Sequence, residues 1–266
     1  MKIFLSLFLS SVLLLVGCGN ERSEEIILKI GASNIPHAEI LEQVAAIVEE
    51  EGIILEIVPF QDYILPNVAL AEGDIDANYF QSLPYFNNQI KDHNYNFANV
   101  GGIHIEPIGV YSKTYDDLDD LPEEATVIMS NSVSEIARIL SLFQALGYIT
   151  LDPEVELTAA TFENIVENPH NLNFEANIDA SLLTQAYENE EGDVVVINAN
   201  YAIDAGLQPP QDALALEDSR SEYGNIVAVR EEDQHNEFIK RVVEVLQSEV
   251  IRDFMLKQYE GAVLPY

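Results

Sequence analysis

From residue 26 onward the chain alternates short continuous apolar runs with stretches of helical period, and glycine or proline punctuates most of the changes. IILKIGA at 26–32 is a run of the buried-strand type. Pro36 opens a stretch in which Ala38, Leu41, Ala45 and Val48 recur on one helical face, and Gly52 closes it. ILEIV after that glycine predicts a second strand, 65–72 a helix stopped by Gly73, DIDANY a short strand, and 85–92 another helix. A strand around 107–111 precedes an acidic loop at 115–124. A second set then begins, with strand TVIM at 126–129, a helix over 133–146 stopped by Gly147, a short helix at 162–167, a strand near 172–174 and the strand DVVVI at 193–197. IVAV at 226–229 and an amphipathic helix carrying Phe238, Val242, Val245 and Leu246 return to the character of the first set. This alternation predicts an α/β fold of two lobes with crossover connections, one from 26–111 plus 224–266 and the other from 112–223. The hinges are expected near Ser112 and Lys113 and in the segment after Asn200. No internal repeat or low-complexity stretch interrupts the pattern.

The first residues follow a different logic. MKIFLSLFLSSVLLLVGC places one positive charge, Lys2, before an apolar run that is too short to span a bilayer comfortably, which is the order of a secretory signal over 1–17. The run stops at Leu15-Val16-Gly17-Cys18, which resembles the bacterial lipobox, in which the cysteine is acylated and becomes the new N-terminus. Cys18 is the sole cysteine of the chain, so an intramolecular disulfide and a Cys-based metal or catalytic site are excluded from the body. Acyl chains contribute ~0.8 kcal/mol per buried methylene, enough in combination to hold a protein on a membrane. Residues 18–25 then read as a lipidated polar tether, and the body is expected in the cell envelope, on the extracytoplasmic face, at a periplasm or a cell surface.

Composition adds exclusions. The 266 residues hold 46 Asp and Glu against 12 Lys and Arg, a formal charge of −34. A chain this acidic repels nucleic acid, whose binders need clustered cations to displace phosphate counterions, and it is equally unattractive to an anionic lipid surface. At 48% apolar residues it still has ample material for a core. Removing 1–17 takes away Lys2 and no acid, so the excess belongs to the body. Dense surface carboxylates of this kind suit work in high salt.

Seven stretches taken in order resemble one family: PHAEIL at 36–41, DYILPN at 62–67, AEGDIDANYFQ at 71–81, LPYF at 83–86, EPIGVYSK at 106–113, VENPHNL at 166–172 and INANYA at 197–202. They are similar to the methionine-binding lipoproteins, the substrate-binding subunits of methionine-importing ABC transporters, and the series covers nearly the whole mature chain. The resemblance implies a type II periplasmic-binding-protein fold with two α/β lobes, two hinge crossings and a ligand enclosed between them. It also implies an amino-acid ligand, with methionine or a close relative foremost, no cofactor and no catalysis. The implied partners are a membrane permease, its ATPase and, through the lipid anchor, the membrane itself.

A free amino acid presents a carboxylate, an ammonium and a side chain. The carboxylate wants arginine, whose planar fork donates two parallel hydrogen bonds. Arg138 is the only Lys or Arg between Lys113 and Arg220, an interval that holds 22 Asp and Glu. It lies about 200° around its helix from Ile136, off the apolar stripe of Ile136, Ile139, Leu140, Phe143 and Leu146, so its position allows either solvent, paired with a carboxylate such as Glu135, or a cleft. The resemblance implies the cleft and the ligand carboxylate. It likewise implies that Asn198 and Asn225, beside the strands DVVVI and IVAV, face the ligand, where their carbonyls would accept from the ammonium; as strand-end residues they could equally be turn asparagines. Asn200 and Asn131 are weaker candidates. Tyr63, Phe80 and Tyr85 fall at the family's aromatic wall, suited to a polarizable thioether, although plain core packing is the competing reading. His37 and His104 read as turn or strand residues, and five dispersed histidines without close spacing predict no metal site.

Three departures widen the ligand class. Where the family commonly reads FQH, this chain has Phe80-Gln81-Ser82, which puts Ser82 in the pocket region. The family's Asn-Asp-Pro-Ser/Thr-Asn before the arginine is Asn131-Ser132-Val133-Ser134-Glu135, which loses the proline and adds a carboxylate. The LPR segment is replaced by Asp179-Ala180-Ser181, with extra residues around 188–192. A different amino acid or a short peptide therefore stays open as ligand. Two other classes remain beside a solute receptor: a surface interaction lipoprotein, and an enzyme using paired carboxylates, although no Ser/His/Asp order, phosphate loop or metal motif accompanies them.

Overall fold

The computed structural model describes residues 26–218 and 222–266; the apolar leader, Cys18, the tether and the segment 219–221 lie outside them. Two sheets organise the described chain. Strands β1 (Ile26–Ser33), β2 (Ile53–Phe60), β3 (Ala77–Ser82), β4 (Phe97–Ile105), β12 (Gly224–Arg230) and β13 (Leu264–Pro265) form the first, in the order β13-β4-β12-β3-β1-β2. Strands β5 (Gly109–Tyr111), β6 (Thr126–Ser130), β9 (Asn173–Ile178), β10 (Val194–Ile197) and β11 (Ala215–Leu216) form the second, in the order β11-β5-β10-β6-β9. A small pair, β7 (Thr150–Leu151) with β8 (Ile165–Glu167), stands apart. In each sheet the strands linked through helices run parallel, β1 with β2 and β3 and β6 with β9 and β10, whereas β12 and β5 pair antiparallel with their neighbours.

Helices cover the sheets where the apolar period demands it. In the first lobe these are α1 (Glu39–Val48), α2 (Leu65–Glu72), α3 (Leu83–His93), α8 (Glu237–Leu246) and α9 (Glu249–Tyr259); in the second they are α4 (Val133–Ala145), α5 (Leu183–Glu188), α6 (Ala199–Asp204) and α7 (Pro209–Asp212). Gly52 and Gly73, at φ of 83° and 81°, take the left-handed turn after the helical stretches ending at Glu51 and Glu72, a conformation that costs other residues about 1 kcal/mol or more. Ile30, Tyr79, Val229, Val242 and Ile251 belong to one buried core, and Val127, Met129, Leu140, Phe143 and Val196 to another. Each large apolar side chain fully buried in this way stabilises the fold by roughly 1.5–3 kcal/mol.

Two expectations need correction. β4 escaped the pattern reading because Gly101 and Gly102 interrupt its apolar run. In the fold they permit close approach: a Cβ on Gly101 would lie 2.6 Å from Val243 Cγ1, and one on Gly102 3.1 Å from the Tyr266 ring. The lobe boundary also shifts. Gly109–Tyr111 pairs with β10 and β11, so the chain leaves the first sheet through Glu106, Pro107 and Ile108 instead of at Ser112 and Lys113. It returns between β11 and β12, well beyond Asn200. In addition, the short helix expected at 162–167 is a single turn, Phe162–Asn164, followed by β8.

Candidate binding site

Between the two sheets lies a cleft with about 420 Å³ of non-atom space, partly continuous with solvent. Arg138, Asn198, Asn200, Asn225, Tyr63, Phe80, Tyr85 and Ser82, drawn from both lobes, all line it. Asn131 does not; it lines an adjoining cavity that shares Tyr63 and Tyr85 with the cleft.

Arg138 projects from α4 and is buried, so the solvent-facing alternative is gone. Its Nε donates to both oxygens of Glu217, at 3.2 and 3.1 Å, and its Nη2 donates to Glu217 Oε2 at 2.5 Å and to the Glu106 carbonyl at 2.7 Å. The Tyr223 ring lies 4.8 Å from the guanidinium carbon. Glu106 belongs to one crossing, Glu217 and Tyr223 to the other, so a single cation is gripped by both connections between the lobes. Burial disfavours its charge, but Glu217 and Glu135 outweigh burial and raise its pKa, keeping it cationic.

Glu135, one helical turn before Arg138, is the carboxylate that the sequence places near the cation, and it too is buried. Its Oε1 is 3.7 Å from Arg138 Nη1, and its Oε2 accepts from Asn198 Nδ2 at 2.7 Å. Burial raises its pKa, and Arg138 and the Asn198 bond only partly offset this. With its nitrogen engaged, Asn198 presents Oδ1, which is buried and has no hydrogen-bond partner among the described residues. Asn225 is arranged the other way. His37 Nε2 lies 3.1 Å from Asn225 Oδ1 and 3.2 Å from Glu106 Oε1; with two acceptors before it, this nitrogen carries the proton and Asn225's carbonyl is occupied. One lone pair of the Asn225 carbonyl is thus held by His37, and Asn225 offers the cleft its amide N–H groups beside the carbonyl's second lone pair.

The aromatic wall is a triangle with Tyr63, Phe80 and Tyr85 ring centroids 6.1–6.2 Å apart. Tyr85 donates its hydroxyl to the Tyr63 carbonyl at 2.9 Å, and Tyr63 donates its own across the cleft to Asn200 Oδ1 at 2.6 Å. Burial pushes both phenols above their ordinary pKa, so they stay protonated donors. Ser82 Oγ accepts from Tyr85 N at 3.4 Å and caps α3.

Behind the cleft stands a network that spacing along the chain did not foretell. His104 Nε2 donates to Glu106 Oε1 at 2.7 Å while its Nδ1 accepts from Tyr79 at 2.5 Å, and His37 converges on the same Glu106 oxygen. Burial holds His37 down at about 4 and His104 at about 3, so both rings are neutral. Burial raises the pKa of Glu106, which also accepts from the Asn200 backbone N–H. The three side chains offer ligand atoms within 4.8 Å of one another, a grouping with the donor chemistry of a metal site. Both Nε2 protons point into the carboxylate, however, so the lone pairs a metal needs are turned away and the cluster is a hydrogen-bond relay supporting Asn225. Its histidines are 67 positions apart, which is why no sequence motif revealed it.

The model of the NlpA lipoprotein family matches residues 28–266. The chain belongs to the NlpA lipoprotein family. Within it, the methionine-binding lipoprotein MetQ of Bacillus subtilis (strain 168) is 43% identical over 269 residues, covering 97% of this chain and 98% of that protein. A pheromone cOB1 precursor/lipoprotein from Enterococcus faecalis V583 superposes with a TM-score of 0.88 at 48% identity, covering 90% of this chain and 100% of that one. A nutrient binding protein from Burkholderia cenocepacia, solved bound to methionine, superposes with a TM-score of 0.84 at 38% identity, covering 90% and 99%. The expected two-lobed α/β fold of a substrate-binding protein is therefore the one this NlpA-family chain adopts. The Bacillus and Burkholderia relatives are named as binding proteins, and no described helix is long and apolar enough to cross a membrane.

Proposed function

We propose that the protein is a lipid-anchored, extracytoplasmic receptor that captures an amino acid, methionine or a close relative, and delivers it to an ABC importer. The observation that carries this reading is the convergence, in one cleft at the lobe crossings, of a buried arginine, two oppositely oriented asparagines and three rings. The ligand carboxylate meets Arg138 Nη1 and the Asn225 amide, while the side chain lies among Tyr63, Phe80 and Tyr85, where a thioether gains ~0.3–1.5 kcal/mol per ring contact. Tyr63, Asn200 and Tyr201 bridge the lobes and stabilise closure over the ligand, and the closed form is what a permease with its cytoplasmic ATPase would engage. Cys18 carries the acyl anchor and residues 19–25 the tether, at a periplasm or a cell surface.

A short peptide is the second reading, favoured by the adjoining cavity, with about 850 Å³ of non-atom space partly continuous with solvent, that shares Tyr63 and Tyr85 with the cleft. Calorimetry of the detergent-solubilised full-length protein against L-methionine, D-methionine, the other amino acids and Met-containing dipeptides decides between them. Tightest binding to a free amino acid supports the first reading, and tightest binding to a dipeptide the second.

A further inference from the structure

The cleft holds more negative charge than an amino-acid carboxylate would welcome. Glu217 neutralises Arg138 through a bidentate pairing, yet Glu135 also points into the cleft, where its nearest cation among the described residues is Arg138 Nη1 at 3.7 Å. A second carboxylate buried beside a cation that is already paired is costly unless another positive group meets it. Next to it, Asn198 Oδ1 is a buried acceptor without a donor among the described residues, held in that orientation because its Nδ2 is bound to Glu135. One charged and one neutral acceptor thus face the same space.

We propose that Glu135 is the counter-charge for the ligand's ammonium, with Asn198 Oδ1 as the second acceptor, so that this side chain selects ligands bearing a free cationic amine. The inference rests on the amino-acid reading of the cleft and adds the specificity-determining residue for it. Arg138 Nη1 and Glu135 Oε1 stand side by side with opposite charges, and an α-amino acid carries its carboxylate and ammonium side by side on one Cα in the reverse sense, so the zwitterion lies antiparallel to the protein's own pair. Asn225 is consistent with the assignment, because its carbonyl is held from behind by His37 and its N–H groups can meet the carboxylate end. Among the described residues, the titratable and charged groups around Glu135 are Arg138 on its own helix, Glu217 at the second crossing, and the protonated tyrosines 63, 85, 201 and 223.

The test compares L-methionine with 2-hydroxy-4-(methylthio)butanoate, which keeps the carboxylate and thioether and replaces the ammonium with a hydroxyl. Full-length wild type in detergent should prefer methionine by about 100-fold or more, since the hydroxy acid leaves a buried carboxylate unpaired. Glu135→Gln keeps the acceptor for Asn198 and removes only the charge; it should weaken methionine at least about tenfold, leave the hydroxy acid unchanged or tighter, and so narrow the preference. Methionine binding with an unaltered preference in Glu135→Gln overturns the proposal alone, whereas wild type that binds no amino acid overturns the receptor reading and the proposal with it. Should Glu135→Gln not fold, wild type decides by itself.

Discussion

Arg138 donates its Nε and Nη2 to the Glu217 carboxylate and, from the same Nη2, reaches the carbonyl of Glu106, which ties both crossings between the lobes to one guanidinium. The cation that a ligand carboxylate would meet is therefore also part of the hinge, and filling the cleft bears directly on the connections that bend.

Arg138→Ala is expected to lower methionine affinity by at least about 100-fold and also to destabilise the fold by about 3–5 kcal/mol, because it leaves Glu217 and Glu135 buried without their cation. Arg138→Lys separates the two effects. A lysine keeps the charge but cannot hold Glu217 with a fork and still face the cleft, so affinity should fall about 10- to 100-fold with a smaller loss of stability. Calorimetry paired with thermal melting reads both, and wild-type affinity in Arg138→Lys would remove the fork from the account.

Tyr63→Phe keeps the ring in the aromatic triangle and deletes the hydroxyl that crosses to Asn200 at 2.6 Å. A hydrogen bond of this kind is worth about 1 kcal/mol, so affinity should fall roughly fivefold with the melting temperature little changed. An unchanged dissociation constant would mean that this contact does not contribute to closure.

Acid should weaken the fold through the relay behind the cleft. Folded His37 and His104, held at about 4 and about 3 against an ordinary 6.5, take up protons less readily than the unfolded chain. Their contribution is complete above pH 6.5 and is lost as pH falls from there toward 4 and 3. Protonation of the many surface carboxylates works in the opposite direction by relieving repulsion, so the informative quantity is a difference. His37→Gln should be less stable than wild type at pH 7 and should lose about 2 kcal/mol less on acidification from pH 6.5 to 4. Parallel stability curves for the two proteins would show that His37 does not titrate in this way.

Much of this was legible in the sequence, and the failures have physical causes. The run in β10 and most of the stripes of α4 and α8 are buried where the periodicity puts them, whereas α1 buries Ile40, Leu41, Val44 and Val48 with Ala38 and Ala45 only half-buried, and Leu146 is exposed. β4 was hidden because its two glycines serve packing against Val243 and Tyr266, a long-range reason invisible to a local pattern. The boundary at Glu106–Ile108 was displaced because Gly109–Tyr111 is a continuous apolar segment whose partner strand lies more than eighty residues away. Eight of the nine ligand-site candidates line one cleft, Asn131 lining the adjoining cavity instead, but the orientation of Asn225 was unreadable. Which end of an amide faces a ligand is settled by what stands behind it, here His37, and no spacing rule carries that information.

Surface charge yields a prediction independent of the cleft. With 46 acidic against 12 basic residues, self-repulsion outweighs solvent-screened exposed pairs such as Lys113 with Glu188 and Arg241 with Glu51. Raising salt from low to molar concentration should therefore raise the melting temperature by several degrees, on the order of 1 kcal/mol or more. A melting temperature indifferent to salt would show that the excess charge is too dispersed to matter.

The central claim, an amino-acid receptor whose ligand lies between Arg138 and the Tyr63, Phe80 and Tyr85 wall, is tested most directly by isothermal titration of L-methionine into the full-length protein and its Arg138→Lys variant. The account predicts saturable one-to-one binding to wild type and a dissociation constant at least about tenfold weaker in the variant. Absence of heat with methionine and every other amino acid, or equal affinity in the two proteins, would contradict it.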